Sequence, residues 1–204
     1  MNSTDVFINC PFSADYDILF KAILFTVIRS GFEPRCARED DDGGEVRFEK
    51  ICRIIKDCKY GIHDVSKTEL DEASGLPRFN MPLELGLFLG ARKYGDDEQS
   101  RKKVLIFDRE PYRYQQFISD IAGQDIHAHS GDARRIIIEV AGWLRRASQR
   151  RTVPGGTELA DEFQRFHAAL PGMLASKHLR SEDLTYHDDI AFITEWSIQA
   201  GHAH

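Results

Sequence analysis

The chain has no apolar run long enough to cross a bilayer. Its longest, inside residues 81–91, is about half of the roughly 20 residues a spanning helix needs, so no membrane span is expected. The opening Met-Asn-Ser-Thr-Asp-Val has no basic segment followed by an apolar one, so no signal peptide is expected and the expected compartment is the cytoplasm. Cysteine is sparse. Cys10, Cys36, Cys52 and Cys58 include no CxxC pair and each falls in an apolar segment, which argues against zinc or disulfides and for small buried hydrophobes. No metal site is therefore expected. Positive charge is not in excess either: a formal charge of −6 argues against bulk nucleic-acid binding. The one basic cluster, Arg145, Arg146, Arg150 and Arg151, reads as a solvated helix end, where cations complement the dipole. Internal repeats and low-complexity tracts are also absent.

What is present is an ordinary globular balance, 42% hydrophobic and 29% charged, in 204 residues, enough for one well-buried core and a small addition. Composition predicts an α/β domain over residues 1–150, a linker over 151–157 containing Pro154-Gly155-Gly156, and a helical appendage over 158–204. On that reading the core survives without residues 158–204, unless Phe163, Phe166, Ile193 and Trp196 cover one of its apolar faces.

Strands are expected at 5–10, 32–37, 60–66 and 103–108, with a short edge strand within 124–129. Residues 103–108 are the clearest, because Val104-Leu105-Ile106-Phe107 is unbroken, as in a parallel strand covered on both faces. Helical spacing is expected over 16–30, 46–59, 82–95, 111–122, 132–148, 158–175 and 181–199. Strands alternating with helices across short turns imply right-handed crossovers. The expected fold is a flavodoxin-like, open parallel sheet with helices on both faces.

The stretch from Arg78 to Gly95 organises the rest. Pro82 suits a first helical turn, Asn80 can cap the free amides before it, and Gly95 can end the helix. Gly86 and Gly90, four apart, offer a smooth stripe for close packing. Glu84 then lies in the first turn among Leu83, Leu85, Leu87 and Phe88. An acid there gains roughly 0.3–1 kcal/mol from the helix dipole and can be structural. Its apolar neighbours favour a task, since carboxylates are rarely sunk in such surroundings without one.

In an open parallel sheet, ligands bind at the carboxyl ends of the strands. Four segments meet there: Asn9-Cys10-Pro11-Phe12, Arg35 to Arg38, Asp64-Val65-Ser66, and Phe79-Asn80-Met81 with Glu84. Their side chains suit a nucleotide. Arg35 and Arg38 can hold phosphate, Phe12 or Tyr16 can stack on a base, Asp64 or Asn80 can bind ribose hydroxyls, and Glu84 can face the anomeric carbon. Each has a plainer role too: Arg38 can pair with the acidic loop Glu39 to Asp42, Phe12 can be core, and Asp64 can cap the loop that follows it.

Asn80-Met81-Pro82-Leu83-Glu84-Leu85-Gly86-Leu87-Phe88-Leu89-Gly90, after Pro77-Arg78 and before Lys103-Val104-Leu105-Ile106-Phe107, resembles the signature of bacterial TIR-like predicted nucleotide-binding domains. It is also similar to the Phe-Glu-Leu-Gly segment of nucleoside 2-deoxyribosyltransferases, which share the flavodoxin-like layout. The resemblance spans roughly residues 5–148 in the order of its elements. In both families the glutamate is catalytic, which the resemblance carries to Glu84. The transferases have an aspartate six residues earlier, where this chain has Arg78. The TIR enzymes that cleave NAD place a small polar or aromatic residue in the first loop, loosely matched by Asn9 and Phe12.

Both families break an N-glycosidic bond at ribose C1′. The resemblance therefore implies NAD as substrate rather than cofactor, cleaved to nicotinamide and ADP-ribose or a cyclised product, or else deoxyribosyl transfer between nucleobases. A non-catalytic module that binds a nucleotide or itself is the third expectation. The TIR resemblance further implies a bacterial defence or toxin role, homo-oligomers, and control by a partner protein or signal nucleotide.

Overall fold

The structure, a computed structural model, describes residues 1–39, 43–70 and 75–199. The acidic stretch 40–42, part of the loop that leads to the central helix and the last five residues lie outside that set. Five strands, β1 (Asn2–Asn9), β2 (Glu33–Arg35), β3 (Cys58–Asp64), β4 (Lys103–Asp108) and β5 (Ile126–Ala128), form one parallel sheet in the order β2-β1-β3-β4-β5. The architecture is α/β with the flavodoxin-like open sheet expected. β4 has the expected bounds, and among the described residues no helix is long and apolar enough to cross a membrane.

The first helix, α1 (Asp17–Arg29), is apolar almost all round, and Gly31, at φ +75°, ends it in the left-handed conformation that glycine adopts freely. The chain forms two compact units, and the division falls inside α1. One holds Met1–Phe20 and Pro34–Asp132; the other holds Lys21–Glu33 and Ala133–His204.

In the first unit α2 (Arg47–Asp57) and α3 (Asn80–Tyr94) pack on the sheet. Ile51, Ile54 and Ile55 of α2 share a buried cluster with Phe7 and with Phe88 of α3, and Leu85 of α3 joins Val65, Ile106 and Tyr114 in a second one. Burying such side chains contributes about 1.5–3 kcal/mol each. Close approach of α3 to the sheet comes from a glycine other than those expected. A Cβ on Gly61 of β3 would sit 2.7 Å from the Phe88 ring, whereas a Cβ on Gly86 or Gly90 would meet nothing within 4 Å. The Gly86–Gly90 stripe faces outward, and the contact belongs to the strand.

The start of α3 also differs from expectation. Its cap is Phe79, with no side-chain bond to the free amides, and Asn80 is already helical. Glu84 therefore lies in the second turn, beyond most of the dipole's reach. Gly95 does end the helix, but with φ −76°; it is glycine for want of room, since a Cβ would lie 2.5 Å from the Ala91 carbonyl oxygen. Residues 111–122, expected to be helical, form only 3-10 turns at Arg113–Gln116 and Ser119–Ile121. Tyr112 is left-handed (φ 61°), and Ile118 leaves the helical region (φ −147°, ψ 56°). Tyr114, Ile118 and Ile121, at the i, i+4, i+7 spacing of one helix face, still all reach the Leu85–Ile106 cluster.

The second unit is helical: the rest of α1 with α4 (Ala133–Ser148), α5 (Gly156–Ser176) and α6 (Tyr186–Gln199). Phe25 packs against Phe163 and Phe166, each with ring centroids 5.4 Å away. Arg29 makes a two-pronged, buried ion pair with Glu162 at 2.9 and 3.1 Å, and the Trp196 indole donates to the same carboxylate at 3.2 Å. A Cβ on Gly156 would lie 2.7 Å from Ile138 Cα, so α5 starts flush against α4.

Candidate functional site

β1 and β3 are paired in parallel with Asn9 opposite His63, so the loops after both strands open at the same end of the sheet, where α3 begins. A pocket of about 510 Å³ lies there. Its walls include Asn9, Cys10, Phe12 and Ser13 from the first loop, and Asn80, Met81 and Glu84 from α3. Five residues singled out from sequence therefore meet in one cavity: Asn9, Phe12, Asn80, Met81 and Glu84.

Glu84 is 7% exposed, and among the described residues its carboxylate accepts no hydrogen bond and joins no ion pair. Burial pushes its pKa up to about 7, and the Arg47 guanidinium pulls the other way. Close to neutral pH the side chain is thus divided between acid and anion. A buried carboxylate without a protein partner costs stability, so its place on a cavity wall calls for a ligand. Cys10, on the same wall, is unsuited to nucleophilic work. Burial, and after it the charge of Asp64, hold its thiol well above the usual range, so no thiolate forms.

Asp64 and Ser66 have structural duties. The Tyr16 hydroxyl donates to Asp64 at 2.5 Å, the Ser66 amide donates at 2.8 Å, and His129 Nε2 lies 3.1 Å from the same carboxylate. Asp64 so fastens the far end of the first loop, whose residues Cys10 to Ser13 line the cavity. Ser66 is buried and its carbonyl accepts from Arg113 at 2.6 Å. Neither residue is on the pocket wall.

Arg35, the last residue of β2, and Arg38 beyond it are also outside the wall. Arg35 is held by Glu39 at 2.7 and 2.6 Å and by Asp5 at 3.0 Å. Arg38 sits 5.4 Å over the ring of Phe12, bracing a wall residue by a cation–π contact. The cations that do line the cavity are Arg47, at the start of α2, with Lys67 and Arg78 from the loop between β3 and α3. Lys67 also pairs with Asp15 at 3.0 Å. Glu69, the other acid on the wall, is exposed and lies 3.4 Å from Arg109.

Sequence reasoning missed these three cations, although one signal was available. A loop that runs from the carboxyl end of a strand to the start of the neighbouring helix must cross the mouth of the crevice, so Lys67 and Arg78 were placed by topology. Arg47 had no comparable signal. The arrangement combines a recessed, partly ionised carboxylate with positive charge on the walls, which suits an anionic ligand that presents an electrophilic or hydroxyl-bearing centre to Glu84. No protein-family model, curated protein or solved structure matches this chain.

Proposed function

We propose that the pocket binds a nucleotide and that Glu84 acts on its ribose C1′, cleaving the N-glycosidic bond, with NAD as the substrate that fits best. The observation that carries this reading is the buried, unpartnered Glu84 carboxylate on a cavity whose walls also hold Arg47, Lys67 and Arg78. As the bond between C1′ and the nicotinamide nitrogen breaks, its electron pair leaves with the ring and C1′ gains oxocarbenium character. An anion held nearby stabilises that charge, as carboxylates do in glycosidases. Nicotinamide departs neutral, so no general acid is required. Water then adds to C1′ and loses a proton, giving ADP-ribose; attack by an adenine nitrogen of the same molecule gives a cyclic product instead.

The three wall cations favour a nucleotide over a nucleoside, because a deoxynucleoside has no phosphate for them to neutralise. The likeness of Asn80 to Gly90 to the TIR-like signature supports the same chemistry. It extends the proposal to a defence or toxin role under control of self-association or a signal nucleotide. Incubation of the pure protein with NAD, and separately with a deoxynucleoside plus a free base, followed by separation of products, tests it. Nicotinamide and ADP-ribose or its cyclic form are the expected products. Base exchange without nicotinamide release would assign a deoxyribosyltransferase, and no product from either would leave a binding module.

A further inference from the structure

Asn9 is the last residue of β1, is 2% exposed and stands on the pocket wall. Its amide nitrogen donates to the Met81 carbonyl at 2.9 Å and lies 3.0 Å from His63 Nδ1. A carbonyl oxygen only accepts, so the atom facing Met81 is the nitrogen and the amide has a single orientation. His63 is wedged between Phe7 and Phe88, with ring centroids 5.6 and 5.0 Å away, and burial pushes its pKa down to about 3. The ring is therefore neutral, and with Nδ1 accepting from Asn9 its proton is on Nε2.

Both amide hydrogens of Asn9 are thus spent inside the protein. What remains is Oδ1, which no donor meets among the described residues. Met81 and Glu84 are three apart and share a helix face, and helical side chains lean toward the preceding turn, so the Glu84 carboxylate leans toward the peptide that Asn9 holds. Two acceptors therefore converge, and their complement is a group rich in donors.

We infer that Asn9 accepts a hydrogen bond from the hydroxyl next to the reacting sugar carbon, the ribose 2-hydroxyl. The pocket thereby selects ribonucleotides over 2-deoxyribonucleotides, and His63 is the positioning residue that holds the amide oxygen toward the ligand. This rests on the nucleotide reading of the pocket and deepens it.

The test is equilibrium binding of two non-reacting probes: ADP-ribose, and ADP-ribose lacking the 2-hydroxyl of the ribose distal to adenine. Wild type is expected to bind the first roughly tenfold or more tightly than the second, since a site built around a hydroxyl is left unpaired without it. Asn9→Ala should cut that preference to about threefold or less, the share left to Glu84. His63→Phe keeps the aromatic packing but removes one of the two acceptors that hold the amide nitrogen, so it should lower the preference at an unchanged melting temperature, which a purely structural histidine would not do. If Asn9→Ala does not fold, the wild-type ratio and His63→Phe decide. Equal binding of both probes by wild type, or an undiminished preference in the variants, overturns the inference alone. Failure of wild type to bind either probe overturns the nucleotide reading and the inference with it.

Discussion

Two of the described glutamates are buried, one in each compact unit, and their surroundings are opposite. Glu162, 3% exposed, accepts two hydrogen bonds from Arg29 and one from Trp196. Glu84, 7% exposed, accepts none, and burial pushes its pKa up to about 7. A buried carboxylate with its partners supplied is part of the architecture. One left without partners, at the edge of a cavity, is a cost that a function explains. The contrast separates a glutamate held by its partners from one left facing a cavity, and the proposed function makes the second the chemical one.

The largest effect should come from removing residues 158–204. Phe25 would lose Phe163 and Phe166, and Arg29 would keep a buried charge with no carboxylate opposite. The shortened chain should aggregate or lose its cooperative melt in size-exclusion and thermal measurements. A monodisperse product with a sharp transition would mean that the helical unit is dispensable.

Next in size, Arg29→Ala should lower unfolding stability by about 3–5 kcal/mol, because it strands Glu162. Denaturant titration measures this, and a loss below about 1 kcal/mol would make the Glu162 cluster no more than a surface pair.

Glu84 should behave in the opposite sense. Its pKa is about 7 folded and near 4.5 unfolded, so the native state keeps its proton longer. Stability from this group is intact below pH 4.5 and falls as pH rises to about 7, by on the order of 3 kcal/mol in all. Glu84→Gln removes that slope. The variant should match wild type at pH 4 and exceed it at pH 8; equal stability at both would show that Glu84 ionises without strain.

The smallest effect concerns the cations. Arg47→Ala should weaken NAD binding by about 1.5 kcal/mol, more at low salt, whereas Arg35→Ala should leave it unchanged because Glu39 and Asp5 already hold that guanidinium. Calorimetric titration of the two variants distinguishes them, and the reverse ranking would move the phosphate site to the end of β2.

Much of this was legible in residue order. The unbroken Val104 to Phe107 marked β4, and an acid among leucines and a phenylalanine marked Glu84. Asn9, Phe12, Asn80 and Met81 followed from the rule that ligands meet the carboxyl ends of parallel strands. What was hidden depended on tertiary context. Arg35 and Arg38 looked like phosphate ligands by position, yet Asp5, thirty residues away from Arg35, claims one, and the Phe12 ring claims the other. Gly61 was silent because only the ring of Phe88 packed on it reveals why a side chain is excluded. Periodicity over 111–122 suggested a helix, and Tyr114, Ile118 and Ile121 do share one cluster as helical spacing implies, but the backbone leaves the helical region at Tyr112 and Ile118.

The central claim, that the unpartnered glutamate is the chemical one, is tested most directly by nicotinamide release from NAD across pH 5–9, with wild type and Glu84→Gln side by side. The anion is the active form, so the wild-type rate should rise with pH, reach half its plateau near the Glu84 pKa of about 7 and then level off. The variant should run on the order of 10²–10³-fold below the wild-type plateau, with no rise near pH 7, while melting as a folded protein. A Glu84→Gln protein that releases nicotinamide at the wild-type rate with the same pH profile would contradict the account.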